Sequence, residues 1–139
     1  MKSNFAPITP VVIIGRILLA AMFILAGISK FGNLQGTAGY IANGGLPLGT
    51  LLAPVVAALE LLGGLAILVG WQARWAALAL AVFTIFASLF FHKFWDVPAA
   101  QATVQQLMFM KNMAVAGGLL MMFSLGAGPG SLDARARAA

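Results

Sequence analysis

The chain has 139 residues, 62% hydrophobic and 8% charged, with a mean hydropathy of +1.01. A soluble domain covers itself with about 25% charged residues; this chain has too few to do so, and its surface must face hydrocarbon. The net charge of +5 does not indicate nucleic acid, because the cations stand singly between apolar runs rather than clustering among aromatic residues.

The first predicted helix spans about residues 8–29. Lys2 precedes it, as in a signal peptide, but Arg16 interrupts the apolar run and its length exceeds an h-region, so it reads as a retained helix. A Gly-rich connection follows, Lys30 to Pro47, with Gly32, Gly36, Gly39, Gly44 and Gly45. The second helix, about 48–70, contains Glu60. The turn Trp71-Gln72-Ala73-Arg74 is short, so the third helix, about 75–92, is its antiparallel neighbour. That helix ends in Phe91-His92-Lys93-Phe94-Trp95. A polar loop, Asp96 to Gln106, leads to the fourth helix, about 107–127, which Gly128-Pro129-Gly130 stops ahead of a tail carrying Arg135 and Arg137. Each segment approaches the roughly 20 apolar residues needed to cross a bilayer. The expectation is one all-α domain over residues 1–139, a membrane four-helix bundle.

Four spans place both termini on one side. Lys2, Arg16, Arg74, Arg135 and Arg137 fall there, against Lys30, Lys93 and Lys111 on the other, which predicts cytoplasmic termini. A weak internal repeat suits two helical hairpins in tandem: Glu60-Leu61-Leu62-Gly63-Gly64-Leu65 echoes Ala114-Val115-Ala116-Gly117-Gly118-Leu119, and Lys30-Phe31 echoes Lys93-Phe94.

A charge near the bilayer centre costs roughly 2.5–3.5 kcal/mol and needs a partner or a function. At 100° per residue, Ala53, Ala57, Glu60 and Gly64 share one stripe, and Arg16, Ala20, Phe23, Gly27 and Lys30 another. A third is Ala77, Ala81, Thr84, Ser88 and His92; a fourth is Lys111, Val115, Gly118 and Met122. Small residues let backbones approach, so these stripes face the bundle interior. By helical rise, Lys30, His92 and Lys111 gather in the outer half above Glu60, and Arg16 lies roughly 21 Å below Lys30. Each residue also has a structural reading. Arg16 can snorkel to headgroups, but small-residue stripes at compatible depths predict that it pairs with Glu60; Lys30, Lys93 and His92 can be interfacial anchors. With no cysteine and one histidine, the chain cannot itself hold a Cys-ligated cluster or a bis-histidine haem. No metal site and no covalently bound cofactor is expected.

Several motifs together resemble the DoxX family of bacterial membrane proteins. They are Gly15-Arg16-Ile17-Leu18-Leu19, Ala26-Gly27-Ile28-Ser29-Lys30-Phe31 and Leu59-Glu60-Leu61-Leu62-Gly63-Gly64, then Phe91-His92-Lys93-Phe94-Trp95, Phe109-Met110-Lys111-Asn112 and Gly128-Pro129-Gly130-Ser131-Leu132-Asp133. The resemblance implies a four-helix protein of the bacterial inner membrane. It also implies a link to thiosulfate:quinone oxidoreduction and to membrane oxidoreductase complexes. The family's Arg, Glu and Lys-Asn positions carry over onto Arg16, Glu60 and Lys111-Asn112.

The leading functional expectation is a membrane subunit of a redox system that binds a quinone-like or small anionic molecule. Lys111, Asn112, His92, Lys30, Glu60 and Arg16 are the ligand-binding candidates, with Phe23 and Phe109 as a ring-stacking wall. Its partners would be lipid and soluble or membrane oxidoreductase subunits. The alternatives are a small transporter or channel, which four helices per chain would require to be a homo-oligomer, and a scaffold that docks a soluble enzyme through its tail.

Overall fold

The computed structural model describes residues 8–139; Lys2, counted in the charge bias, lies outside them. Among the described residues six helices follow in order: α1 (Thr9–Gly32), α2 (Leu34–Asn43), α3 (Gly49–Val69), α4 (Ala73–Phe91), α5 (Ala99–Leu125) and α6 (Leu132–Ala138). Four of them, α1, α3, α4 and α5, are long and apolar enough to cross a membrane. They are the four expected spans.

The helices pair by small residues. A Cβ on Gly27 would lie 2.7 Å from the Leu61 backbone nitrogen and 2.9 Å from the Ala57 carbonyl oxygen, so α1 and α3 are in backbone contact there. One turn deeper, Gly64 packs against Ile24 and Ala20 in the same way. α1 packs chiefly on α3 and α4 chiefly on α5, the pairing two tandem hairpins would give. Phe23, Ile67, Leu80 and Leu119, one from each spanning helix, fill the centre with Ala20, Ala77 and Ala81. Most other large apolar side chains point outward, as a lipid-facing bundle requires.

The structure corrects two predicted loops. The Gly-rich connection is not irregular: Asn33 ends α1 and starts α2, its side chain accepting from Gly36 N–H at 2.9 Å. An eighteen-residue structureless link was improbable on length alone. α2 then packs on α3, with Gly49 against Ala38, and touches the end of α4, where Tyr40 stacks on Phe91 (centroids 4.9 Å, 23°). The second loop is shorter than expected because α5 begins at Ala99 rather than near 107. The run Ala99 to Gln106 is polar but made largely of good helix formers, so it extends the helix beyond the apolar window.

At the opposite face the tail folds back onto the bundle. Gly126, Gly128 and Gly130 all have positive φ, which lets the chain reverse, and Ser131 caps α6 by accepting from Ala134 N–H. Asp133 then caps another helix. Its two carboxylate oxygens accept from Gln72 and Ala73 N–H at 2.8 and 2.9 Å, and its own N–H donates to Gly70 O. This clamp holds Gln72, a non-glycine residue, at φ 47°.

Candidate functional site

Arg16 does not pair with Glu60. It is buried on α1, yet its guanidinium turns to the face that carries α6 and donates to Ala127 O (3.0 Å) and Gly130 O (2.9 Å). Arg16 lies three turns below Gly27 on α1, whereas Glu60 lies level with Gly27. The carbonyls of the glycine turn therefore take its charge. This arginine anchors the tail.

The partner of Glu60 is Lys30, whose Nζ lies 2.6 Å from Oε2. Gly27 makes this possible. It brings α1 against α3, and Lys30, three residues on, falls on the same side of α1 and reaches the carboxylate. Glu60 is 6% exposed. Burial of the Glu60 charge is costly, and the partly buried Lys30 offsets that cost only while both partners are present.

Beside the pair is a cavity of about 450 Å³ lined mostly by apolar side chains of α1 to α4. Phe23, Phe83, Phe90 and Phe91 supply aromatic walls, and Tyr40 reaches in from α2. Partial burial pushes the Tyr40 phenol above its ordinary value, so it stays a neutral hydrogen-bond donor at neutral pH. The polar wall consists of Lys30, Glu60, Thr37, Thr84, His92 and Asn112. Thr84 is 4% exposed and its hydroxyl has no partner within the described residues. A buried hydroxyl left unpaired costs roughly 1–3 kcal/mol; one on a cavity wall is available to a ligand. His92 Nδ1 lies 2.9 Å from Gln105 Oε1, which orients its ring. Phe86, 58% exposed, also lines the cavity, so it opens between apolar side chains of a helix long and apolar enough to cross a membrane.

Of the six candidate residues, Lys30, Glu60, His92 and Asn112 lie together on this wall and Arg16 lies at the other face. The sixth, Lys111, is exposed on α5 and does not line the cavity. The interior line of α5 runs through Asn112, Ala116 and Leu119, rotated by one residue from the predicted Lys111, Val115, Gly118 and Met122. Side chains on a helix lean toward its N-terminus, the direction in which an exposed Lys111 would snorkel. The level agrees, since Phe109, half a turn away, packs on Trp95 and Phe94 instead of on the cavity. Sequence reasoning did not single out Tyr40 or Thr37; the length of their connection was the available signal.

The DoxX family model matches residues 11–93. The chain is 40% identical to Inner membrane protein YqjF of Escherichia coli over 122 residues, 88% of each chain. It is 29% identical over 133 residues, 95% of each chain, to Inner membrane protein YphA of the same organism. A shorter match, 36% over 59 residues and 42% of each chain, is to a Bacillus subtilis protein provisionally named oxidoreductase CatD. No solved structure matches at a significant level.

Proposed function

The chain belongs to the DoxX family, and on that premise we propose that it is a multi-pass inner-membrane protein whose cavity binds a neutral, quinone-like ligand in the service of a partner oxidoreductase. The observation that carries this reading is the Lys30–Glu60 pair set in the wall of an aromatic cavity that opens toward lipid. A quinone head needs an apolar slot, donors for its carbonyls and a proton acceptor nearby. Phe23, Phe83 and Phe91 offer the slot, Thr84, Asn112 and Lys30 the donors, and Glu60 the acceptor.

The charge balance separates this ligand from a small anion. Lys30 and Glu60 neutralise one another, so the wall offers an anion no net attraction. An apolar rim at Phe86 and Phe90 favours entry from the bilayer by a lipid-soluble molecule. Electrons would pass to or from a partner protein. Relatives named as inner membrane proteins and one provisionally named as an oxidoreductase support the same setting.

The termini would face the cytoplasm, since Arg16, Arg74, Arg135 and Arg137 mark the α6 face and Lys30, Lys93 and Lys111 the α2 face. A photoactivatable quinone analogue added to membranes tests the site. Labelling should fall on peptides of α1 and α4 that contain Phe23 and Phe86. Labelling confined to the exposed face of α5 would contradict the proposal.

A further inference from the structure

A second cleft, of about 270 Å³, lies at the opposite face and takes no part in the reading above. Arg74 at the start of α4 and Arg137 on α6 form its basic wall. They converge on Gly126: a methyl group there would sit 3.5 Å from Arg74 Nε and 3.8 Å from Arg137 Nη2. The one carboxylate on the wall, Asp133, is already engaged by the Gln72 and Ala73 N–H groups. Among the described residues neither arginine forms a salt bridge, and the single hydrogen bond they make is from Arg137 Nε to Asp133 O at 3.2 Å. Two cations thus face one open space against a single carboxylate, which leaves the cleft wall a net positive charge. Below them the wall turns apolar, where exposed Trp75 packs on Phe123 with centroids 5.9 Å apart.

From this arrangement we infer that the Arg74–Arg137 cleft binds the phosphodiester of an anionic phospholipid headgroup. Planar guanidinium groups match phosphate oxygens in paired hydrogen bonds. An indole at the rim is the side chain that sits at headgroup level, and the apolar surface of α4 and α5 beyond it suits the acyl chains. Net anionic headgroups are preferred over zwitterionic ones, whose ammonium would lie against the arginines. The tail anchor gives the site a structural role as well. A lipid bridging α4 to α6 would further fasten the tail that Arg16 and Asp133 already hold.

The test uses purified full-length protein in neutral detergent, titrated separately with phosphatidylglycerol, phosphatidylcholine and inorganic phosphate while thermal unfolding is followed. Phosphatidylglycerol should stabilise the protein most. Arg74→Gln and Arg137→Gln should each weaken its apparent affinity about fivefold, with Arg135→Gln, outside the cleft, changing it less. Arg137 lies on α6, beyond the spanning helices, so its variant reports even if Arg74→Gln impairs folding. Equal stabilisation by phosphatidylcholine, or an unchanged response in both cleft variants, would overturn the inference. An arginine-dependent shift by inorganic phosphate that matches phosphatidylglycerol would overturn the lipid assignment in favour of a soluble anion.

Discussion

Lys30 Nζ stands 2.6 Å from Glu60 Oε2, joining α1 to α3 on the wall of the aromatic cavity. Removing one member leaves a charge unpaired among apolar side chains, which costs more than removing both. Lys30→Met and Glu60→Gln should therefore each lower detergent thermostability, and the double variant should lose less than the sum. A coupling of about 0.5–3 kcal/mol is expected. The same cycle between Arg16→Met and Glu60→Gln should be additive, because Arg16 is bound to Ala127 and Gly130.

Gly27 and Gly117 make opposite predictions. A side chain at Gly27 meets the α3 backbone, which cannot yield, so Gly27→Ala should destabilise by about 1–3 kcal/mol and separate Lys30 from Glu60. A Cβ at Gly117 meets nothing within 4 Å. Gly117→Ala should be neutral or slightly stabilising by helix propensity. Thermal unfolding of the two purified variants checks both.

These relationships were unequally legible in the sequence. The four spans and the small-residue stripes of α1, α3 and α4 follow from apolar length and 3.6-residue periodicity, which the bilayer enforces strictly. The partner of Glu60 did not follow. A stripe says which face a residue occupies, but Arg16 and Lys30 share one stripe, and only the contact of Gly27 with Leu61 sets their levels against α3. Lys111 differs for a related reason: a charge inside an apolar helix reads as buried, yet the α5 face that packs inward is the one carrying Asn112, Ala116 and Leu119. In sequence the glycine turn is a stop signal; in the structure its carbonyls also bind Arg16 and its continuation caps α4.

The tail clamp carries its own test. Asp133→Ala removes the acceptor for two N–H groups at the start of α4 and should cost about 0.5–2 kcal/mol. It should also expose α6 to proteolysis, seen as faster loss of a C-terminal epitope. A tail as protected as in the native protein would show that the clamp is dispensable.

Orientation is open to chemical labelling. A cysteine at Ala138 should be shielded from impermeant thiol reagents in intact cells, and one at Thr103, near the start of α5, should react. The reverse pattern would place the cavity toward the cytoplasm.

Among the described residues Thr84 and Ser88 both bury hydroxyls without a partner, but only Thr84 lines the cavity. Thr84→Val should preserve or raise stability in the absence of ligand and weaken quinone binding several-fold. Ser88→Ala should leave binding unchanged. Titration of each variant with one short-chain quinone separates the two.

The most direct measurement is ligand-induced stabilisation of the purified protein by short-chain ubiquinone and menaquinone analogues. The native chain should be stabilised in proportion to the logarithm of ligand concentration. Glu60→Gln and Lys30→Met should lose most of that response, while Lys93→Ala and Lys111→Ala, outside the cavity, retain it. Stabilisation by no quinone, or an undiminished response in Glu60→Gln and Lys30→Met, would contradict a quinone-like site at this ion pair.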